Sequence, residues 1–192
     1  MTPDDLYTTY LSFLDEAHRL KKEYADKIDL LVGIESEYIT DLDLEGIKRL
    51  MQEQGERIQY VVGSVHHVNS IPVDFDIPTF ETALADCGST RDSPSGFLKA
   101  YLDDQYKMLT TLEPAVVGHF DLCRLFAPEI RLDADPEVWE KVVRNVDYVI
   151  GYGGMFEVNA ASFRKGWDQA YPGREVLKVS PRWIPKAKLR SD

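Results

Sequence analysis

The chain has 192 residues, of which 44% are hydrophobic and 29% are charged. This is enough for one domain with a substantial core and too little for two domains of ordinary size. The formal net charge of −11 argues against a nucleic-acid partner, because such proteins present a basic face and the one basic cluster lies at residues 182–190. No apolar run is long enough to span a bilayer, so no membrane partner is expected.

The N-terminus and the cysteines favour a cytoplasmic location. Residues 1–5 are acidic, whereas a signal peptide begins with a basic segment. Cys87 and Cys123 form no closely spaced pair, which is typical of reduced, buried thiols in an intracellular protein. The sequence leaves the oligomeric state open.

Helices and strands alternate along the chain. Apolar residues at helical spacing predict five helices, over about residues 3–24, 44–54, 80–85, 95–112 and 136–149. Short apolar runs between them predict four strands, over residues 28–34, 58–65, 115–118 and 155–159. Thr2 is expected to cap the first helix and Asp43 the second, which Gly55 ends. Pro72 and Pro78 predict a loop after the second strand.

Each predicted strand ends in, or is followed directly by, a polar residue that can bind a metal ion or a phosphate. These residues are Glu35, His66, His119 and Asn159. Parallel strands joined by helices present their carboxyl ends at one edge, so we expect the four side chains to converge there. The pattern predicts an α/β barrel or an open relative of one, with an open doubly wound sheet as the alternative.

Three of the four histidines lie at strand ends, which favours a metal site. Glu35 can bridge metal ions or hold a general base, and the neutral imidazoles of His66 and His119 suit zinc, iron or manganese. Adjacent residues of a strand point to opposite sides, so only one of His66 and His67 is expected to face the site. Asp121 is a candidate to orient a neighbouring ligand. The alternative is that the histidines are ordinary buried or surface side chains.

Arg124 and Arg164 are candidates for binding a phosphate group. Guanidinium groups match phosphate oxygens bidentately and stay charged at any working pH. Each arginine lies beyond a predicted strand, where an ordinary surface residue is the alternative. The chain contains no glycine-rich phosphate loop, nucleophile elbow or Cys-x-x-Cys pair. In so acidic a chain, an anionic substrate requires local positive charge from arginines or bound metal ions.

Several motifs resemble the histidinol phosphate phosphatases of the PHP superfamily, especially the fungal type. The strongest is the run over residues 63–76, which begins Gly-Ser-Val-His-His-Val-Asn. Shorter motifs occur in the family's order and with similar spacing, at residues 33–35, 117–122, 156–159, 163–165 and 171–172. Together they extend the resemblance over residues 6–178.

The resemblance implies an α/β fold, an incomplete distorted (β/α)7 PHP-type barrel, with a multinuclear metal centre at the carboxyl ends of its strands. It implies Glu35, His66 and His119 as ligands of divalent metal ions, namely zinc, manganese or iron. It also implies Arg124 and Arg164 as contacts of the substrate phosphate. The reaction of the family is the hydrolysis of L-histidinol phosphate, a small-molecule phosphate monoester, to L-histidinol and phosphate in histidine biosynthesis.

The resemblance also divides the chain. Residues 1–178 are expected to form a partial PHP phosphoesterase domain, and residues 179–192 a divergent C-terminal tail in which Pro181 and Pro185 disfavour a strand. Family members begin with a His-x-His motif and end with an Asp-x-His motif; neither occurs here, so a domain truncated at both ends is expected. The alternatives are a noncatalytic remnant that acts as a binding domain, and a PHP phosphoesterase for nucleotides, which the run over residues 66–76 disfavours.

Overall fold

The computed structural model describes residues 3–179. The helices are α1 (Pro3–Glu23), α2 (Asp41–Gln54), α3 (Ile77–Asp86), α4 (Ser95–Leu112), α5 (Pro136–Tyr152), α6 (Ala161–Arg164) and α7 (Arg174–Leu177). The strands are β1 (Gly33–Glu37), β2 (Tyr60–Ser64), β3 (His67–Val68), β4 (Ile71–Pro72), β5 (Val116–Val117) and β6 (Met155–Phe156). Within residues 3–179, no helix combines the length and the apolar character needed to cross a membrane.

Four of the strands form one parallel sheet in the order β1-β2-β5-β6. Each pair of neighbours is joined through at least one helix: α2, then α3 with α4, then α5. The carboxyl ends of the four strands therefore lie at one edge of the sheet. The predicted α/β class and the four parallel strands are confirmed. The sheet is compatible with an incomplete distorted barrel, because no pairing joins β1 to β6 among the described residues.

Helix α4 lies at the centre of the hydrophobic core. It packs against α5 and against β2, and it buries seven apolar residues together with Gln105. The amide of Asn145 donates to Gln105 Oε1 at 3.0 Å, and Gln105 Nε2 donates to the carbonyl of Phe120 at 2.9 Å. Buried polar groups with satisfied hydrogen bonds fix the backbone that they contact. This network therefore fixes the segment that carries the neighbouring His119.

The cap predicted for the second helix was wrong by three residues. Helix α2 begins at Asp41 with Thr40 as its N-cap, and the Asp43 carboxylate accepts a hydrogen bond from the Thr40 backbone N–H at 2.7 Å. Asp43 thus stands at the third helical position of a capping box. The end of the helix is confirmed, since Gly55 has a φ of 51° and its N–H reaches the Met51 carbonyl. The predicted cap Thr2 lies outside the described residues.

The first strand lies later than predicted. The apolar run over residues 28–34 was expected to form it, but β1 covers Gly33–Glu37, and residues 28–32 precede it as irregular chain. Ile28 is 54% exposed and Leu31 67% exposed, so this run is not a buried strand. Pairing with β2 decides the register, and it places Glu35 opposite Val62, inside the strand and not after it.

An antiparallel hairpin of β3 and β4 occupies part of the region predicted as a loop. His67 pairs with Pro72 across a turn in which Asn69 and Ser70 have φ values of 49° and 64°. Two consecutive positive φ values are typical of the type I′ turn that joins two short strands. The backbone N–H of Val73 donates to the His66 carbonyl at 2.8 Å, so the hairpin holds the residue that follows β2.

The predicted C-terminal tail, residues 179–192 with Pro181 and Pro185, lies outside the described residues except for Val179.

Candidate metal centre

Three side chains from neighbouring strands meet at the carboxyl edge of the sheet. Glu35, His66 and His119 each offer a ligand atom, and these atoms all lie within 4.8 Å of one another. His119 Nε2 lies 3.4 Å from Glu35 Oε1, and the two imidazole rings lie 4.9 Å apart at an angle of 54°. The predicted convergence of these three residues is confirmed. That they bind a metal stays a prediction.

Adjacent strands explain why the three side chains meet. Glu35 lies in β1, His66 follows β2 by two residues, and His119 follows β5 by two residues. The imidazoles are largely buried, with 21% and 13% of their side chains exposed, whereas 54% of the Glu35 side chain is exposed. The cluster therefore opens to solvent on the side of the carboxylate.

The carboxylate of Glu35 is held in its ionised form. Hydrogen bonds with His119 and, to a smaller extent, with Ser64 together lower the pKa of Glu35 to about 2, against the effect of burial. Ser64 Oγ donates to Glu35 Oε1 at 2.6 Å. An ionised carboxylate is the form that binds a cation.

The imidazole of His66 is held in its neutral form. Burial lowers the pKa of His66, and the nearby His119 lowers it further, while Asp74, Glu37 and Glu35 oppose this effect. A neutral imidazole has a free nitrogen lone pair and is the metal-binding form of histidine. Two imidazoles and one carboxylate suit zinc, iron or manganese. The donor set therefore fits a divalent metal ion.

One of the two consecutive histidines joins the cluster, as expected, although the pair stands at the junction of two strands and not within one. His66 joins the cluster, whereas His67 begins β3 and places its Nδ1 at 3.0 Å from Glu37 Oε1. The same Glu37 oxygen lies 3.8 Å from His66 Nδ1. One carboxylate thus lies beside both imidazoles without belonging to the cluster of three.

Asn159, the fourth residue expected at this edge, bonds to neighbouring backbone, and its convergence with the other three residues stays a prediction. Its side-chain oxygen accepts the backbone N–H of Ala161 at 2.8 Å, and its backbone pairs with Tyr171. Sequence analysis missed Glu157, whose Oε2 accepts the backbone N–H of His119 at 3.1 Å. The sequence pattern did not single it out, because the predicted strand over residues 155–159 includes Glu157.

Arg124 lies in the interior, and this position does not fit the predicted contact with a phosphate. The residue is 1% exposed, and its guanidinium lies 2.6 Å from Asp121 Oδ2 and 2.6 Å from Glu175 Oε1. A further N–H donates to the Ile130 carbonyl at 2.8 Å. Because its donors are already bound within the protein, Arg124 is corrected to a structural cation.

Asp121 is engaged in the same structural pair. It was a candidate to orient a neighbouring ligand, but its Oδ2 accepts hydrogen bonds from Arg124 and from the backbone N–H of Gly173. Burial raises the pKa of Asp121, and the charge of Arg124 opposes this effect.

Arg164 differs from Arg124 in being exposed at the last residue of α6. It forms no ion pair with another residue of the part of the chain described here. Its guanidinium is therefore available for an anion, and a contact with phosphate stays a prediction.

Comparison with known protein families identifies the family of the chain. Residues 3–161 match the PHP domain family, and the chain belongs to that family. The match includes Glu35, His66 and His119, and it ends at the first residue of α6.

Three curated relatives of the chain are named as histidinol-phosphatases or probable histidinol-phosphatases. The chain is 42% identical over 182 residues to the "Probable histidinol-phosphatase" of Schizosaccharomyces pombe, a match that covers 93% of this chain and 58% of that protein. It is 35% identical over 200 residues to the "Histidinol-phosphatase" of Saccharomyces cerevisiae, covering 91% and 59%. The "Probable histidinol-phosphatase" of Deinococcus radiodurans is 26% identical over 176 residues, covering 90% and 61%. The chain thus spans about three fifths of the length of these relatives.

Proposed function

We propose that this chain supplies part of the active site of a histidinol-phosphatase, which hydrolyses L-histidinol phosphate to L-histidinol and phosphate. The names of the curated relatives support the substrate and the reaction. The observation that carries the chemistry is the meeting of Glu35, His66 and His119 at the carboxyl edge of a parallel sheet.

The three side chains would act as ligands of a divalent metal ion, with zinc, manganese and iron as the candidates. When bound, such an ion supplies Lewis-acid stabilisation of the charge that develops on the phosphate oxygens. Glu35 contributes a negative charge that balances the cation, and His66 and His119 contribute imidazole nitrogen donors. Glu157 holds the backbone of His119 through its hydrogen bond of 3.1 Å.

Arg164 is the proposed contact for the phosphate group. Its exposed guanidinium follows β6, and it can bind two phosphate oxygens at once. Arg124 has no place in this proposal, because its guanidinium is bound to Asp121 and Glu175.

The proposed unit is a partial PHP phosphoesterase domain over residues 1–178, and its proposed compartment is the cytoplasm. The packing of α7, whose Val176 is fully buried, supports a domain that continues beyond residue 161. The free cysteines Cys87 and Cys123 support a reducing compartment.

The experiment is to measure bound zinc, manganese and iron in the purified chain, together with phosphate release from L-histidinol phosphate. We expect His119→Ala to lose bound metal and any turnover, because it removes one of three donors. His18→Ala is the matched control, since His18 lies on α1 and its ring nitrogen bonds to the Arg57 carbonyl.

Retention of stoichiometric metal by His119→Ala would contradict the proposed site. A cooperatively folded wild-type chain that binds metal but releases no phosphate would favour the noncatalytic alternative for this chain.

A further inference from the structure

Ser64 is a buried residue whose hydroxyl contacts the Glu35 carboxylate. It ends β2, is 1% exposed, and donates from Oγ to Glu35 Oε1 at 2.6 Å. The Glu35 side chain is 54% exposed, so packing restrains its carboxylate little. Among the described residues, the side chains that hydrogen-bond to this carboxylate are Ser64 and His119. His119 is itself a proposed ligand, so a bound metal would replace its hydrogen bond to Glu35. The hydrogen bond from Ser64 would remain.

Gly118 provides the space that the Ser64 hydroxyl occupies. A Cβ atom built on Gly118 would lie 2.7 Å from Ser64 Oγ, closer than non-bonded atoms approach, and 3.3 Å from Val62 Cγ1. The φ of Gly118 lies outside the left-handed region, so this position does not need glycine for its backbone conformation. Glycine at position 118 therefore leaves room for the Ser64 hydroxyl, which any larger side chain would displace.

We infer that Ser64 is a positioning residue of the metal centre. Its hydroxyl, which occupies the space beside Gly118, directs the Glu35 carboxylate toward His119. This inference rests on the proposed function, because it takes Glu35 as a metal ligand. Groups that hydrogen-bond to a ligand orient it before the metal arrives, and their loss weakens metal binding without removing a donor.

The first test is the zinc affinity of Ser64→Ala, measured by competition with a chromophoric chelator. We expect binding about 10- to 100-fold weaker than in the wild-type chain, which is the usual effect of losing such a support. Ser36→Ala is the matched control. Ser36 is equally buried on the neighbouring strand, and its Oγ accepts the Ser64 backbone N–H at 3.3 Å without contacting the carboxylate. Thermal unfolding of each metal-free variant shows whether the fold is preserved.

The second test uses Gly118 and Ser64 together. Gly118→Ala is expected to weaken zinc binding by a factor similar to that of Ser64→Ala, because the new methyl group displaces the hydroxyl. In the Ser64→Ala background the same change should cause little further loss, since the atom that it would strike is gone. Such non-additivity separates positioning from two independent disturbances. The visible spectrum of bound cobalt should change in the same way in both single variants.

The outcomes are distinct. Zinc binding by Ser64→Ala equal to that of the wild type would overturn the inference, and so would an equal loss in Ser36→Ala. Effects of Gly118→Ala and Ser64→Ala that simply multiply would overturn it as well. A wild-type chain that binds no zinc, manganese or iron would overturn the proposed metal site itself, so the two failures can be told apart.

Discussion

Two adjacent aspartates on α4 have opposite electrostatic environments. Burial raises the pKa of Asp104 to about 6, and the neighbouring charge of Asp103 adds to this effect. Burial also opposes ionisation of Asp103, but hydrogen bonds from Lys141 and Arg144 outweigh it and lower its pKa. Asp103 thus joins α4 to α5, whereas an ionised Asp104 is a cost to the folded state.

Asp104→Asn is expected to stabilise the protein at neutral pH. The folded state holds the Asp104 proton more tightly than the unfolded state, whose pKa is near 3.8, so the contribution of this group to stability falls as the pH rises from about 4 to about 6. Asparagine has no such charge. After allowance for solvent screening, we expect a gain of roughly 1 kcal/mol at pH 7.5, measured by urea unfolding.

The neighbouring residue is the control for this prediction. Asp103→Asn should destabilise the protein at pH 7.5, because it removes ion pairs with Lys141 and Arg144. A lower stability of Asp104→Asn than of the wild type at this pH would contradict the assignment of Asp104 as a partly buried, unfavourable charge.

Arg124→Met is expected to lower the free energy of unfolding, and this loss is its main effect. The change leaves Asp121 buried without its cation, and breaking a buried pair in this way costs about 3–5 kcal/mol. Urea unfolding of the purified variant measures the loss. Arg131→Met removes an ion pair with Asp133 in which the arginine is two-thirds exposed, and a much smaller loss of stability is expected there.

An Arg124→Met variant with unchanged stability and weakened binding of L-histidinol phosphate would restore the predicted phosphate contact.

At the level of elements, the long helices could be predicted and the first strand could not. Helix α4 covers the predicted residues 95–112, because its apolar side chains follow helical spacing and Pro114 prevents its continuation. The run over residues 28–34 is more apolar than β1, yet Ile28 and Leu31 face solvent. Strand pairing, which joins Gly33 to Tyr60, decided the position, and a local pattern of hydrophobicity does not contain that information.

The hairpin of β3 and β4 offers a stabilising change. Ser70 has a φ of 64°, a conformation that costs a residue with a side chain about 1 kcal/mol and costs glycine almost nothing. Ser70→Gly would give the turn the Asn-Gly pair that type I′ turns favour. We expect the free energy of unfolding to rise by roughly 0.5–1 kcal/mol, measured as an increase in Tm.

Ser12→Gly is the opposite control, because Ser12 lies inside α1, where glycine is expected to cost about 0.5–1 kcal/mol. A fall in Tm for Ser70→Gly would mean that the long contact of its hydroxyl with the Ile39 carbonyl, at 3.4 Å, matters more than the turn.

Across the whole molecule, the residues at strand ends could be predicted better than those with distant partners. Glu35, His66 and His119 were found because any parallel sheet gathers its carboxyl ends at one edge. The location of Arg124 could not be foreseen, since its partner Glu175 comes from a helix that no sequence pattern indicated. The pairing of Tyr171 with the backbone of Asn159, from the far side of α6, could not be foreseen for a similar reason.

Strand β1 has a partner strand on one side only among residues 3–179. Its other side presents backbone groups to which a further strand can bind in the same direction. A polypeptide that bound there would run beside Glu35, the middle residue of β1. The surroundings of Glu35 would then depend on the polypeptide that occupies this position as well as on the two imidazoles.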